Sequence, residues 1–101
     1  MLMGFVLYKN LLKKIKRLIN GNEDITIRNK ILFLVQKNCL EIIQNPFGNY
    51  IIQHILEEWG PEVCSDVTKI IHQNLVSLSM QKFSSNVVEK CMDLISEVQL
   101  N

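Results

Sequence analysis

The sequence predicts an all-α fold assembled from stacked helical repeats, and three observations carry that expectation. Asn45-Pro46-Phe47-Gly48-Asn49-Tyr50-Ile51-Ile52-Gln53-His54 and Gln81-Lys82-Phe83-Ser84-Ser85-Asn86-Val87-Val88-Glu89-Lys90 follow one pattern, with Phe47 and Phe83 36 positions apart. A fixed period of that size marks supersecondary units that stack. Apolar residues recur at i, i+3, i+4 in Ile15, Leu18, Ile19, again in Ile31, Leu34, Val35, and again in Val67, Ile70, Ile71, the spacing of a helix with one buried stripe. No stretch sustains the apolar/polar alternation of a half-buried strand.

From the start of the chain, Met1-Leu2-Met3-Gly4-Phe5-Val6-Leu7-Tyr8 is too short to span a bilayer and lacks a basic start and a small-residue cleavage site. It reads as a helix packed on a neighbour, or as an artificial chain boundary. The helix around Ile15–Ile19 is broken by Asn20-Gly21-Asn22. Each following unit is expected to hold a short helix (about Leu40 to Gln44, and Val76 to Gln81) and a second helix starting at Asn49 or Ser85. A longer third helix is expected from about Pro61 to Gln73. Pro46 and Gly48 punctuate the turn before the second helix, and Gly60-Pro61 ends it, with Pro61 suited to the first turn of the third.

The register runs deep. At the same offset Ile31, Leu34 and Val35 fall on Val67, Ile70 and Ile71, and Ile51, Ile52, Ile55 and Leu56 fall on Val87, Val88, Cys91 and Met92. Asn38 falls on Asn74, kept as asparagine. Chemistry changes at Asn49 against Ser85, Tyr50 against Asn86, and Gln53 against Glu89. Residues 1–37 read as a degenerate or partial repeat with a connecting helix, 38–73 as a repeat and 74–101 as a partial repeat. So few units are close to the smallest stable stack, so the chain is expected to be a piece of a longer array.

At 101 residues and 48% hydrophobic content, the chain forms one compact unit, too short for an elaborate multidomain enzyme. Its net charge of +1 hides an asymmetry: residues 1–37 hold eight Lys or Arg against two acids, residues 38–101 three against eight. Lys13, Lys14, Lys16 and Arg17 either track a phosphate backbone or form the solvated face of an amphipathic helix. Cys39, Cys64 and Cys91 are odd in number, widely separated, and not at ligand spacing with His54 or His72. Neither a disulfide framework nor a zinc site is expected, and buried reduced thiols are. With no Ser-His-acid order, phosphate-cradling glycine loop or metal-ligand cluster, the sequence points away from an enzyme and implies no cofactor.

Within the second helix, Asn49 and Gln53 lie one turn apart on one face, flanked by Tyr50, while Ile51, Ile52, Ile55 and Leu56 cover the other side. Stacking such helices lines up a row of variable side chains. Asn49-Tyr50-Ile51-Ile52-Gln53 and Ser85-Asn86-Val87-Val88-Glu89, each preceded by an aromatic (Phe47, Phe83), resemble the recognition pentads of the PUF (Pumilio-type) repeat family. The resemblance covers roughly Ile31 to Ser96. It implies a right-handed, armadillo-like α-solenoid of three-helix repeats binding single-stranded RNA on its concave face. It also implies control of messenger RNA translation and stability through 3′-UTR sites in the cytoplasm, with translational-repressor or deadenylase-recruiting proteins as partners.

Carried over by that resemblance, Asn49 and Gln53 contact the uracil edge with Tyr50 stacking, and Ser85 and Glu89 contact guanine with Asn86 in the stacking slot. Carboxamides supply the donors and acceptors uracil requires, and a carboxylate accepts from guanine's paired donors. Family members run antiparallel to RNA, which gives 5′-GU-3′ here, inside a UGU-type core. One period upstream stand Lys13, Lys14 and Arg17, or Leu12, Lys13 and Lys16 with a one-residue loop insertion. These fit phosphate contact rather than base reading. Plainer roles stand beside each assignment: helix N-caps for Asn49 and Ser85, a partly buried ring for Tyr50, a lysine partner for Glu89. Two rival functions also stand, a HEAT- or armadillo-type protein-binding scaffold, and a divergent PUF-like protein that binds structured RNA or DNA by its backbone in nucleolar ribosome assembly.

Overall fold

The computed structural model describes Lys13, Lys14, Lys16, Arg17 and residues 25–100, with side chains to Ser96. From residue 25 on, six helices follow one another: α1 (Ile25–Lys37), α2 (Cys39–Ile43), α3 (Gly48–Val63), α4 (Ser65–Gln73), α5 (Leu75–Ser79) and α6 (Ser84–Leu100). All regular structure among the described residues is helical, as the periodicity predicts. The opening run 1–8, the stripe at Ile15, Leu18 and Ile19, and the break at 20–22 lie outside the described residues.

The 36-residue register is visible in the backbone. Asn38 (φ −117°, ψ 23°) and Asn74 (φ −120°, ψ 26°) separate α1 from α2 and α4 from α5 with the same conformation. Each Nδ2 donates to the carbonyl four residues back, Asn38 to Leu34 at 3.1 Å and Asn74 to Ile70 at 2.8 Å. A helix end leaves carbonyls without partners, and the side-chain amide supplies one while the chain turns. This explains why asparagine persists at both positions.

The core runs through Val35, Cys39, Ile43, Ile52, Ile55, Leu56, Cys64, Val67, Ile71, Leu78, Val87, Val88 and Cys91, all buried. Helix α3 packs most extensively against α6, its counterpart one repeat on, and the short α5 closes on α6. In α1 the expected stripe is only partly covered. Val35 is buried and Ile31 half-buried, but Leu34 is 60% exposed, whereas its counterpart Ile70 is half-buried. The difference goes with the neighbours: α1 has α2 and α4 as its main described ones.

Two glycines shape the repeat. Gly60 has φ 82° and ψ 159° and divides α3 into two helical pieces, a region of backbone space open almost only to glycine. Pro61 then opens the next helical turn, where its missing N–H costs nothing. The expected helix from Pro61 to Gln73 is interrupted at Cys64 (φ −92°, ψ 29°). Bonds from Cys64 N to Gly60 O (3.2 Å) and from Thr68 N to Cys64 O (2.9 Å) carry the hydrogen-bond ladder across it. At Gly48 the constraint is contact rather than conformation. A Cβ there would lie 2.5 Å from the Ile42 carbonyl oxygen. One period on, the equivalent residue is the fully buried Ser84, whose Oγ donates to Leu78 O at 2.6 Å. The carbonyl that crowds Gly48 in one repeat is the acceptor for a serine in the next.

The three thiols are buried and reduced. Desolvation pushes Cys39 and Cys64 up from the ordinary 9.0 to about 11, and raises Cys91 as well.

Two sets of measurements check this account. Gly48→Ala and Gly60→Ala are each expected to destabilise the chain by about 1–3 kcal/mol in urea titrations, the first by overpacking against a backbone carbonyl and the second by backbone strain. Because the folded thiols hold their protons more tightly than the unfolded ones, their contribution is fully present below pH 9 and is lost as pH rises through about 11. Melting temperature should therefore fall across that window. A disulfide reagent at pH 8 should label the three thiols far more slowly in the folded chain than in urea.

Candidate nucleic-acid interface

On α3, Tyr50, Gln53 and Glu57 recur at i, i+3, i+7, opposite the buried Ile52, Ile55 and Leu56. On α6 the same positions are Asn86, Glu89 and Asp93, all exposed. Side-by-side packing of α3 and α6 brings the two stripes into one row. An ion pair between Lys90 Nζ and Glu57 Oε1 joins the helices across it, and Gln81 Nε2 donates to Gln44 Oε1 at 3.0 Å between the equivalent turns.

The heads of the two pentads are held differently. Asn45 Oδ1 accepts from Phe47 N at 2.9 Å and Gly48 N at 3.0 Å, fixing the turn that launches α3. Asn49 lies inside the first turn of α3 with its side chain fully buried. Its Nδ2 donates to Asn45 O at 2.9 Å and Pro46 O at 3.0 Å, and its Oδ1 accepts from Gln53 Nε2 at 3.0 Å. Ser85, half-buried, donates from Oγ to Lys82 O at 2.8 Å, the carbonyl one period on from that of Pro46. Neither residue is an N-cap. A cap side chain accepts from backbone N–H groups, whereas both of these donate to carbonyls.

Tyr50 is 52% exposed, so its ring is partly buried, as the plainer reading has it, and still open to stacking on one side. Asn86 and Glu89 are exposed, and among the described residues Glu89 makes no hydrogen bond or ion pair; Lys90 pairs with Glu57 instead. Gln53 is half-buried, anchored by one Nε2 hydrogen. Lys82 Nζ lies 5.6 Å from the Phe83 ring centre, a cation–π approach beside the second pentad. Lys13, Lys14, Lys16 and Arg17 are helical and exposed. No group of three or more His, Cys, Asp or Glu among the described residues is placed to hold a metal, and none of the described helices is long and apolar enough to cross a membrane.

Sequence inspection placed the pentads but missed the residues that support them. Asn45, Ser84 and the Glu57–Lys90 pair have no like-for-like counterpart in the other copy, and Gly48 was read only as punctuation of the turn.

A profile of the Pumilio-family RNA binding repeat matches residues 38–72 and 74–101, more than half of the chain. The chain belongs to the Pumilio repeat family. Among its relatives, putative pumilio homolog 7, chloroplastic, of Arabidopsis thaliana is 38% identical over 65 residues, covering 64% of this chain and 10% of the relative. Pumilio homolog 12 of the same plant is 40% identical over 63 residues, 62% of this chain and 11% of the relative. Fem-3 mRNA-binding factor 1 of Caenorhabditis elegans is 37% identical over 76 residues, 68% of this chain and 12% of the relative. The chain thus spans about a tenth of the length of these relatives. No solved structure matches it significantly. Both Pumilio matches contain a full pentad with its aromatic, Phe47 or Phe83, and the all-α repeat architecture is the one the family implies.

The turn that launches the first pentad supplies a stability test. Asn45→Ala removes the acceptor for two backbone N–H groups and is expected to cost about 1 kcal/mol. Gln81→Ala, which removes only an exposed side-chain bond, should stay within about 0.5 kcal/mol; paired urea titrations compare them.

Proposed function

We propose that this Pumilio-family chain binds single-stranded RNA along the row formed by α3 and α6, reading 5′-GU-3′ within a UGU-type core. The observation that carries this is a division of labour at one register: apolar positions of both long helices are buried, while Tyr50, Asn86 and Glu89 stand exposed beside an anchored Gln53. Glu89, an acceptor-only group with no protein partner among the described residues, suits the N1–H and exocyclic amine of guanine, with Ser85 beside it. The Asn49–Gln53 pair suits uracil, Tyr50 offers a stacking ring, and Asn86 occupies the corresponding slot. Lys13, Lys14 and Arg17 contact phosphate. The name of the Caenorhabditis elegans relative, an mRNA-binding factor, supports messenger RNA as the target class.

The wider role follows from the same reading: post-transcriptional control through 3′-UTR sites in the cytoplasm, exerted by recruiting translational-repressor or deadenylase proteins rather than by chemistry on the RNA. Two bases limit affinity. Stacking contributes about 1–3 kcal/mol per base and a good edge contact a similar discrimination, so binding by this chain alone falls between micromolar and millimolar.

Fluorescence anisotropy with labelled RNAs carrying UGU, UUU or a scrambled core, at two salt concentrations, tests the proposal. UGU should be preferred by about 5-fold or more, with affinity falling as salt rises. Ser85→Asn combined with Glu89→Gln should move the preference at that base from guanine to uracil. Equal binding to all three RNAs, unchanged by the double substitution, would sink base reading and leave backbone contact only.

A further inference from the structure

Apolar positions that are covered in the repeat 38–73 stand open one period away. Leu56 is fully buried in the core shared by α3 and α6, whereas its counterpart on α6, Met92, is exposed. Ile70 of α4 is half-buried in a groove that it shares with Leu40 of α2, whereas its counterpart on α1, Leu34, is exposed, with Phe33 exposed beside it. Val76 of α5 is 75% exposed against 40% for its counterpart Leu40, and Met80, one turn on, is 83% exposed. Helix α4 packs on the α2 and α3 that precede it. One period upstream, α1 is the same kind of helix, and one period downstream α5 and α6 are the same kind of pair. A shallow groove lined by Ile71, Leu75, Met92 and Ile95 runs between α4, α5 and α6. The described residues thus include a third helix with an uncovered apolar flank and a pair of helices whose seat for one is uncovered.

We infer that copies of this chain associate head to tail: α1 of one copy docks on α5 and α6 of another, in the place that α4 takes on α2 and α3. Leu34 then faces Val76 as Ile70 faces Leu40, and Phe33 and Met80 are covered alongside. Charge favours the same pairing. Helix α1 carries Arg28, Lys30 and Lys37 and no acid, whereas α6 carries Glu89, Asp93 and Glu97 against Lys90 alone. In a stack of repeats each unit touches only its neighbours, so the junction between copies needs no surface that the α2–α3–α4 unit does not already use. The α3 of the docked copy comes alongside α6 of the first and covers Met92 as α6 covers Leu56. The two faces differ, so the contact is heterologous. One copy keeps an open seat and the other an open α1, and further copies add in series.

Analytical ultracentrifugation of the 101-residue chain from about 10 μM to about 1 mM tests this, and the average mass should climb past that of a dimer. Leu34→Glu spoils the α1 flank and keeps the seat, whereas Val76→Lys combined with Met80→Lys spoils the seat and keeps α1. All three side chains are exposed, so the urea midpoints of both variants should match wild type. Each variant alone should associate at least about tenfold more weakly than wild type. An equimolar mixture should recover association and stop at the dimer, because it offers one sound α1 flank and one sound seat. Association of either variant alone at wild-type strength overturns the inference, since it marks pairing of like faces or of another surface. So does a wild type that stays monomeric across the range, the result if residues 1–24 or an unrelated protein cover these faces.

The association is measured without RNA, so it stands or falls apart from the RNA-binding proposal. Joined to that proposal, it has a further consequence: α3 of the docked copy sets a second uracil-type pentad beside α6, and the 5′ uracil of a UGU core falls to that copy. Labelled UGU RNA should then sediment with two wild-type chains, and with one chain of the Val76→Lys, Met80→Lys variant. Wild type that self-associates and carries no RNA sinks the RNA-binding proposal and leaves the junction standing. One chain per RNA from a self-associating wild type overturns the sharing of the core between copies.

Discussion

The side-by-side packing of α3 against α6 is the constraint on which the rest of this structure depends. It buries Ile52, Ile55 and Leu56 from one helix and Val87, Val88 and Cys91 from the other in a common core. Each large aliphatic side chain contributes about 1.5–3 kcal/mol on burial. Because both helices commit the same register positions to that interface, the positions left over also coincide. A row of polar heads is thus a by-product of apolar packing, and its spacing is set by how closely the helices approach. The Gly48 and Ser84 contacts to the carbonyls of Ile42 and Leu78 fix how each long helix sits on its own short one. The cross-repeat bonds Glu57–Lys90 and Gln44–Gln81 lie on exposed surface, where such pairs contribute little to stability.

The two repeats reach equivalent placement by different means. The first uses a chain of amides, from the Asn45 and Pro46 carbonyls through Asn49 to Gln53, with Asn45 itself tying down the turn. The second uses hydroxyls, Ser84 to Leu78 and Ser85 to Lys82, and leaves Glu89 free of them. The local hydrogen bonds set the polarity of the amides in this Pumilio-family chain.

Much of this was legible in the sequence because the repeat compares the chain with itself. Asn38 and Asn74 stood out as the only polar pair retained within the apolar register, and both do the same structural work at a helix junction. Gly60-Pro61 announced a break, and the backbone at Gly60 shows why glycine is required. Other features gave no such signal. The interruption at Cys64 replaces no breaker residue, and the exposure of Leu34 depends on which neighbours α1 has rather than on its periodicity.

The sequence by itself determined the helical class, the 36-residue register, the positions of the variable heads and the kinship to a family of RNA-binding repeats, because periodicity and pentad spacing are properties of the chain's order. Only the tertiary structure decided that Asn49 is enclosed while Gln53 and Glu89 differ in restraint. Burial and hydrogen-bond direction depend on what lies across the turn and across the helix interface. Asparagine and serine at equivalent positions look like interchangeable caps in the sequence; once folded, each donates to a carbonyl, and only the asparagine passes its orientation on to the next side chain.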